Sequence, residues 1–224
     1  MKISASMYAA DQGRLAEEAK RAEEGGADSL HFDVMDGHFI PNISFGPEVV
    51  RQLRSEVDLP FNVHLMVENS EKFIDHYVKA GSETIYVHVE SCPFLHRVLG
   101  LVRHKKAKAG IALNPSTPAS TVKHVLDQAD AILLLTNNDS TFLSDYQSQQ
   151  FIPTMISKIE ETKRLVRESG TDPEVAVDGG ITAHNARDVV RAGARNIVSG
   201  SAIFEKGKPA EGIRALRAAA EHGL

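Results

Sequence analysis

The chain has 224 residues, 42% hydrophobic and 25% charged, with a formal net charge of -5, proportions that suit a single globular domain with a full core. The mild, dispersed negative charge offers no basic face, so neither nucleic acid nor an acidic membrane surface is an expected partner. The single cysteine, Cys92, excludes an internal disulfide framework, and MKISASMYAADQGR at the start has no long apolar run, so a cytoplasmic protein is expected.

In chain order, short β-branched runs alternate with longer helical patterns. KISAS is followed by RLAEEAKRAEEGG, and then SLHFD leads into DGHFIPN and GPEVVRQLRSE. Alternation along SLHFDVM puts His31 and Asp33 on one face and Phe32 and Val34 on the other. FNVHL carries His64 and precedes SEKFIDHYVKAG; TIYVH ends on His88, with Glu90 just beyond, and precedes FLHRVLGLVRHKK. AGIAL runs into Asn114 and a predicted helix in PASTVKHVLDQA. AILLL precedes FIPTMISKIEETKRLVRESG, EVAVD ends on Asp178 before HNARDVVRAG, and NIVSG leads through a short helix into PAEGIRALRAAAEH. Gly25, Gly81, Gly170 and Gly193 stand at helix stops, while Asp11, Ser70 and Thr182 are placed to start or cap helices.

Eight βα units fit a closed (β/α)₈ barrel, although an open doubly wound sheet shares the alternation. The placement of polar residues decides between them. His31, Asp33, His64, His88, Glu90, Asn114 and Asp178 all fall at the carboxyl ends of strands. Only a closed barrel brings strands two to seven around one mouth, because an open sheet spreads them at about 5 Å per strand. A single-domain barrel over 1–224 is therefore predicted.

Any one of these residues could be a hydrogen-bonded core group. Together, His31, Asp33, His64 and Asp178 are two imidazoles and two carboxylates, a set that suits one divalent metal ion such as zinc, iron, manganese or cobalt. Such groups are expensive to bury unless something pairs with them, and a metal pairs with all four. Carboxylates on strands two and seven can also approach a substrate from both faces, removing a proton from one side of a carbon and returning one to the other. VDGGI and SGSAIF place Gly179, Gly180, Gly200 and Ser201 after strands seven and eight, where barrels often bind phosphate. Tight turns alone are the competing reading, above all for Gly179 and Gly180. Ser116 and Thr117 read as an ordinary helix-starting loop, Asp36 and His38 as parts of a turn, and His96, His104, His124, His184 and His222 as surface residues. His88 and Glu90 read as mouth-lining groups behind the cluster, or as residues that satisfy their own neighbours.

HFDVMDGHFIPNISFG, NVHLMV, GIALNPSTP, VDGGI and VSGSAIF, in that order and over nearly the whole chain, closely resemble the ribulose-phosphate 3-epimerase family. The resemblance implies a (β/α)₈ barrel that epimerises a ketose phosphate at carbon 3 with one divalent metal. By motif it assigns His31, Asp33, His64 and Asp178 as metal ligands and Asp33 and Asp178 as the acid/base pair. Ser6 and His64 become substrate contacts, and Met35 and Met66 line the pocket of the enediolate, although apolar packing also explains the methionines.

Departures from the family pattern are concentrated after strand six. There the family carries Pro-Gly-Phe-Gly-Gly-Gln, whereas this chain reads TNNDSTFLSDYQSQQFIP, longer and without glycine, with Gln147 and Ser148 in place of the adjacent glycines. Leu135 replaces a third pocket methionine, and Ala5 and Tyr8 stand where the family usually has Pro and Leu. The pattern suggests retained chemistry on an altered ketose phosphate, such as a tetrulose or hexulose phosphate, with Asn137, Asn138, Ser144, Tyr146 or Gln147 as new contacts. The enediolate could also lead to isomerisation or aldol chemistry, and a non-catalytic sugar-phosphate-binding barrel is the reading from another class. Barrels of this kind often associate through loops and outer helices, so a homo-oligomer is an expectation without a sequence signature.

Overall fold

A computed structural model describes residues 1–137 and 150–221 of the chain. Eight parallel strands close into a barrel in sequence order: β1 (Lys2–Ser6), β2 (Ser29–Met35), β3 (Phe61–Met66), β4 (Thr84–His88), β5 (Lys108–Leu113), β6 (Ala131–Leu135), β7 (Glu174–Asp178) and β8 (Asn196–Ser199). The predicted closed barrel is the one observed, and β8 pairs back onto β1 through Ile3↔Ile197 and Ala5↔Ser199. Closure leaves no open sheet edge, so each strand is hydrogen-bonded on both sides and reads as apolar through its centre.

Around the barrel lie α1 (Leu15–Glu24), α2 (Pro47–Leu53), α3 (Ile74–Lys79), α4 (Leu95–His104), α5 (Met155–Ser169), α6 (Ala186–Ala192), α7 (Ser201–Phe204) and α8 (Pro209–Glu221). Their apolar faces meet the outward strand residues, burying Ile3, Phe32, Val63, Ile85, Ile111 and Ile197 completely. Alternate residues point inward. Tyr86, Ala112, Leu133, Ala176 and Val198 form a second apolar cluster inside the barrel. Gly110 makes room for it, since a Cβ there would overlap the Tyr86 ring. Beneath this layer Ser4 and Ser29 are hydrogen-bonded to each other, and Asn62 and Asn196 bond to them in turn.

Two expectations are corrected, the helix over 118–129 and the residues that start helices. Residues 118–129 form two 3-10 turns, Ala119–Val122 and Leu126–Gln128, where a helix was predicted. Val122 and Leu126 have helical spacing and are buried, but the Ser-Thr-Val run holds helix poorly, and each turn ends after one winding. Gly25 caps the end of α1, as expected, and Gly26 after it takes the positive φ of 86°. Asp11 bonds to the backbone of Gly13 ahead of α1, Ser70 opens a 3-10 turn, and Asn185 sits at the start of α6 where Thr182 was expected. Among the described residues no helix is long and apolar enough to cross a membrane.

Candidate active site

Register builds the site. β1 pairs Ser6 with His31, β2 pairs Asp33 with His64 and Met35 with Met66, and β6 pairs Leu135 with Asp178. Inward side chains toward the carboxyl ends of five strands thereby converge on the mouth. His31, Asp33, His64 and Asp178 each offer one donor atom, and the four atoms lie within 4.8 Å of one another. Nε2 of His31 is 3.2 Å from Oδ1 of Asp33 and 3.7 Å from Oδ2 of Asp178. Nδ1 of His64 is 3.1 Å and 3.8 Å from the same two oxygens.

These spacings suit a shared cation. Four donors about 2.1 Å from a tetrahedral ion stand about 3.4 Å apart. Both imidazoles are fully buried, and neither ring nitrogen of His31 has a hydrogen-bond partner. A buried polar ring left this way is costly unless a further group satisfies it. The electrostatics agree: burial disfavours the charged form of Asp33, yet His31 and His64 hold its carboxyl well below the usual range. Burial pushes His64 down to about 4, so this ring is neutral and able to ligate at neutral pH. Burial opposes the charge on His31, but Asp33 and Asp178 outweigh it and raise its pKa.

Beside the cluster lies a cavity whose lining includes Ser6, Tyr8, Asp33, Met35, Met66, Leu135, Asn137 and Asp178. Gly179, Gly180, Ile181, Ser199, Gly200 and Ser201 line it as well, with Asn137 against Gly179 and Ser6 against Gly200. Met35 and Met66 pack with Ile40, and Tyr8 and Phe39 lean on them. Gly179 has φ 111° and Gly180 φ 69°, which only glycine adopts readily, and Gly200 packs its backbone so close to Ala9 that a Cβ there would overlap it. Asp36 is structural, as expected, since its carboxylate accepts N–H bonds from His38, Phe39 and Glu68. His38, His96, His104, His124 and His184 are exposed.

His64 was expected to touch substrate as well as metal. It is fully buried and lies among the cluster's donors rather than in the cavity wall. Asn114 does not line the cavity either: its N–H donates to Glu90 and its carbonyl accepts from Nζ of Lys158. Thr117, read as an ordinary loop residue, donates its hydroxyl to Oε1 of Glu90. Local sequence carries no signal for a bond across 27 residues. Sequence also missed the bond from Asn42 to the Tyr8 hydroxyl, at 2.6 Å, and the closeness of Asn137 to Gly179. Asn138, Ser144, Tyr146, Gln147, Ser148 and His222 lie outside the described residues.

A closed (β/α)₈ barrel with a His₂Asp₂ group at its mouth and a glycine-lined cavity beside it defines a class of barrel enzyme that could work with a divalent cation. The match is closer than class: the Ribulose-phosphate 3 epimerase family matches residues 2–204, and the chain belongs to that family. The chain is 41% identical to the ribulose-phosphate 3-epimerase of Bacillus subtilis, covering 97% of this chain and 98% of that protein. It is 42% identical to the Synechocystis enzyme of the same name, covering 96% of this chain and 92% of that protein. In backbone it is similar to 3-hexulose-6-phosphate synthase from Salmonella typhimurium, with a TM-score of 0.73 at 14% identity and full coverage of both chains. Orotidine 5'-phosphate decarboxylase from Pyrococcus horikoshii OT3 follows the same path, with a TM-score of 0.68 at 16% identity and 99% coverage of each. At these identities the two structures speak to fold alone.

Proposed function

We propose that this chain inverts the carbon next to the carbonyl of a ketose phosphate, with Asp33 and Asp178 as its two acid/base groups. The observation that carries the reading is the convergence of His31, Asp33, His64 and Asp178 on one point beside a polar cavity. These four residues would hold the divalent ion: zinc, iron, manganese or cobalt all accept two imidazoles and two carboxylates. When bound, the cation supplies positive charge next to the carbonyl oxygen, where negative charge develops as the proton leaves.

The chain's own residues do the rest. Asp33 and Asp178 project from β2 and β7, on different sides of the mouth, so one carboxylate removes the proton from one face and the other carboxyl returns a proton to the opposite face. Ser6 donates to Oδ2 of Asp33 at 2.8 Å and keeps that carboxylate turned toward the cavity. Met35, Met66 and Leu135 exclude water above the reacting carbon. Gly179, Gly180, Gly200 and Ser201 allow a phosphate to approach the backbone closely.

D-ribulose 5-phosphate is the first substrate to test, because ribulose-phosphate 3-epimerase is the name its relatives carry. A tetrulose or hexulose phosphate is the second reading. It is favoured by the absence of glycine between Thr136 and Pro153 and by Tyr8 and Asn137 in the cavity wall. The test is a panel of ketose phosphates followed by proton NMR in deuterated water, with bound metal measured alongside. Inversion with exchange at the carbon next to an unmoved carbonyl supports the proposal. Carbonyl migration points instead to isomerisation, and binding without turnover points to a sensor.

A further inference from the structure

Behind the four-residue cluster a line of hydrogen-bonding groups runs outward from the mouth. His64 Nε2 lies 2.8 Å from His88 Nε2, and His88 Nδ1 lies 2.8 Å from Oε2 of Glu90. Oε1 of Glu90 accepts from the Asn114 N–H at 2.8 Å and from the Thr117 hydroxyl. His64 and His88 are fully buried, with ring centroids 4.9 Å apart, so the bond between their Nε2 atoms lies out of reach of water.

We infer that Glu90 and His88 are positioning residues that hold His64 in the tautomer whose Nδ1 lone pair faces the cation site. The inference rests on the metal reading of the cluster and goes beyond it. Proton bookkeeping leaves one arrangement. Nδ1 of His64 is its donor atom in the cluster, and a ligating nitrogen carries no hydrogen, so the neutral ring bears its hydrogen on Nε2. Nε2 then donates to His88, whose own Nε2 must be bare and whose hydrogen sits on Nδ1. That hydrogen meets a carboxylate, which only accepts.

The opposite chain is also hydrogen-bonded. With hydrogen on His88 Nε2, His64 would accept there and carry its hydrogen on Nδ1, 3.1 Å from Asp33 Oδ1. A hydrogen there blocks the site. Glu90 decides between the two chains because an ionised carboxylate only accepts: Oε1 already takes the Asn114 N–H and the Thr117 hydroxyl, and Oε2, 2.8 Å from His88 Nδ1, is satisfied only by a hydrogen on that nitrogen. Glutamine cannot replace it. Its amide would have to donate either toward His88, which reverses the chain, or toward the Asn114 N–H, which is itself a donor.

The test is a cobalt(II) titration of the purified full chain in competition with a chelator, for the wild type and for Glu90→Gln, His88→Leu and His88→Gln. Partners of metal-bound histidines typically change metal affinity by about 10–100-fold, and Glu90→Gln and His88→Leu are expected to lose affinity on that scale. His88→Gln can accept from His64 and donate to Glu90 at once, so it is expected to stay near wild type. Equal affinity for all four proteins overturns the inference and leaves the metal reading intact. A wild type that binds no cobalt overturns the metal reading and the inference with it. Ring ¹⁵N shifts of the zinc-loaded wild type test the tautomers without any variant: hydrogen on His64 Nε2 and His88 Nδ1 supports the inference, and hydrogen on His88 Nε2 overturns it.

Discussion

Ser6 Oγ donates a 2.8 Å hydrogen bond to Oδ2 of Asp33, leaving Oδ1 of that carboxylate to face His31 and His64. The pairing of Ser6 with His31 across β1 and β2 sets this division of labour between the two oxygens. A hydrogen bond to a charged group is worth about 1.5–3 kcal/mol, or roughly tenfold or more in rate where the transition state keeps it. Ser6→Ala is therefore expected to lower kcat about tenfold or more and, because the bond is buried and already made in the free protein, to lower the unfolding midpoint as well. Steady-state kinetics beside a melting curve checks this.

Gly179 sits with φ 111° directly against Asn137, whose side-chain oxygen a Cβ would overlap. Gly179→Ala must displace Asn137 and strain the turn after β7, at a cost of order 1–3 kcal/mol. The turn lines the part of the cavity assigned to phosphate. KM for the phosphorylated substrate is expected to rise at least tenfold, with kcat reduced less. An unchanged KM would place the phosphate elsewhere.

Glu90 links the site to acid stability. Burial alone would push its carboxyl up, but bonds from His88, Thr117 and the Asn114 N–H hold it down at about 2, against an ordinary 4.5. A carboxyl lowered on folding contributes stability that is fully present above pH 4.5 and is lost as pH falls toward 2. Glu90→Gln lacks that contribution at every pH. The difference in unfolding midpoint between wild type and Glu90→Gln is therefore expected to be largest near neutrality and to shrink from pH 4.5 downward. Melting curves of metal-free protein at a series of pH values check this, and a constant difference would contradict it.

Periodicity read the barrel well because each strand is apolar at its centre and the titratable cluster residues fall toward the carboxyl ends, while Ser29, Asn62 and Asn196 fall toward the amino ends, with Ser4 bonded to Ser29 and Asn196. His31, Asp33, His64 and Asp178 were legible for that reason: position along a strand fixes depth in a closed barrel. Residues 118–129 were misread because Val122 and Leu126 bury the face a helix would bury while the backbone winds only in single turns. The bond from Thr117 to Glu90 was invisible because it joins the loops after two neighbouring strands. His88 and Glu90 were visible as neighbours, but their bond directions appear only in three dimensions.

Asp33 and Asp178 stand on β2 and β7, and the proposed reaction has each of them serve one face of the reacting carbon. Removing one carboxylate should split the reaction rather than simply slow it. In Asp178→Asn, the substrate epimer whose proton faces Asp33 can still lose it and regain deuterium on the same face. The other epimer has no base and stays inert. Inversion needs both groups, so it is expected to fall by about 10²–10⁴-fold, the usual contribution of a positioned acid/base group. Asp33→Asn should show the mirror result, with the opposite epimer exchanging. Both aspartates also belong to the group that could hold the metal, so metal content must be matched before rates are compared. Proton NMR of each epimer in deuterated water reads the outcome directly. Equal loss of exchange for both epimers in the matched Asp178→Asn protein would mean that one residue handles both faces, and the two-sided assignment would fall.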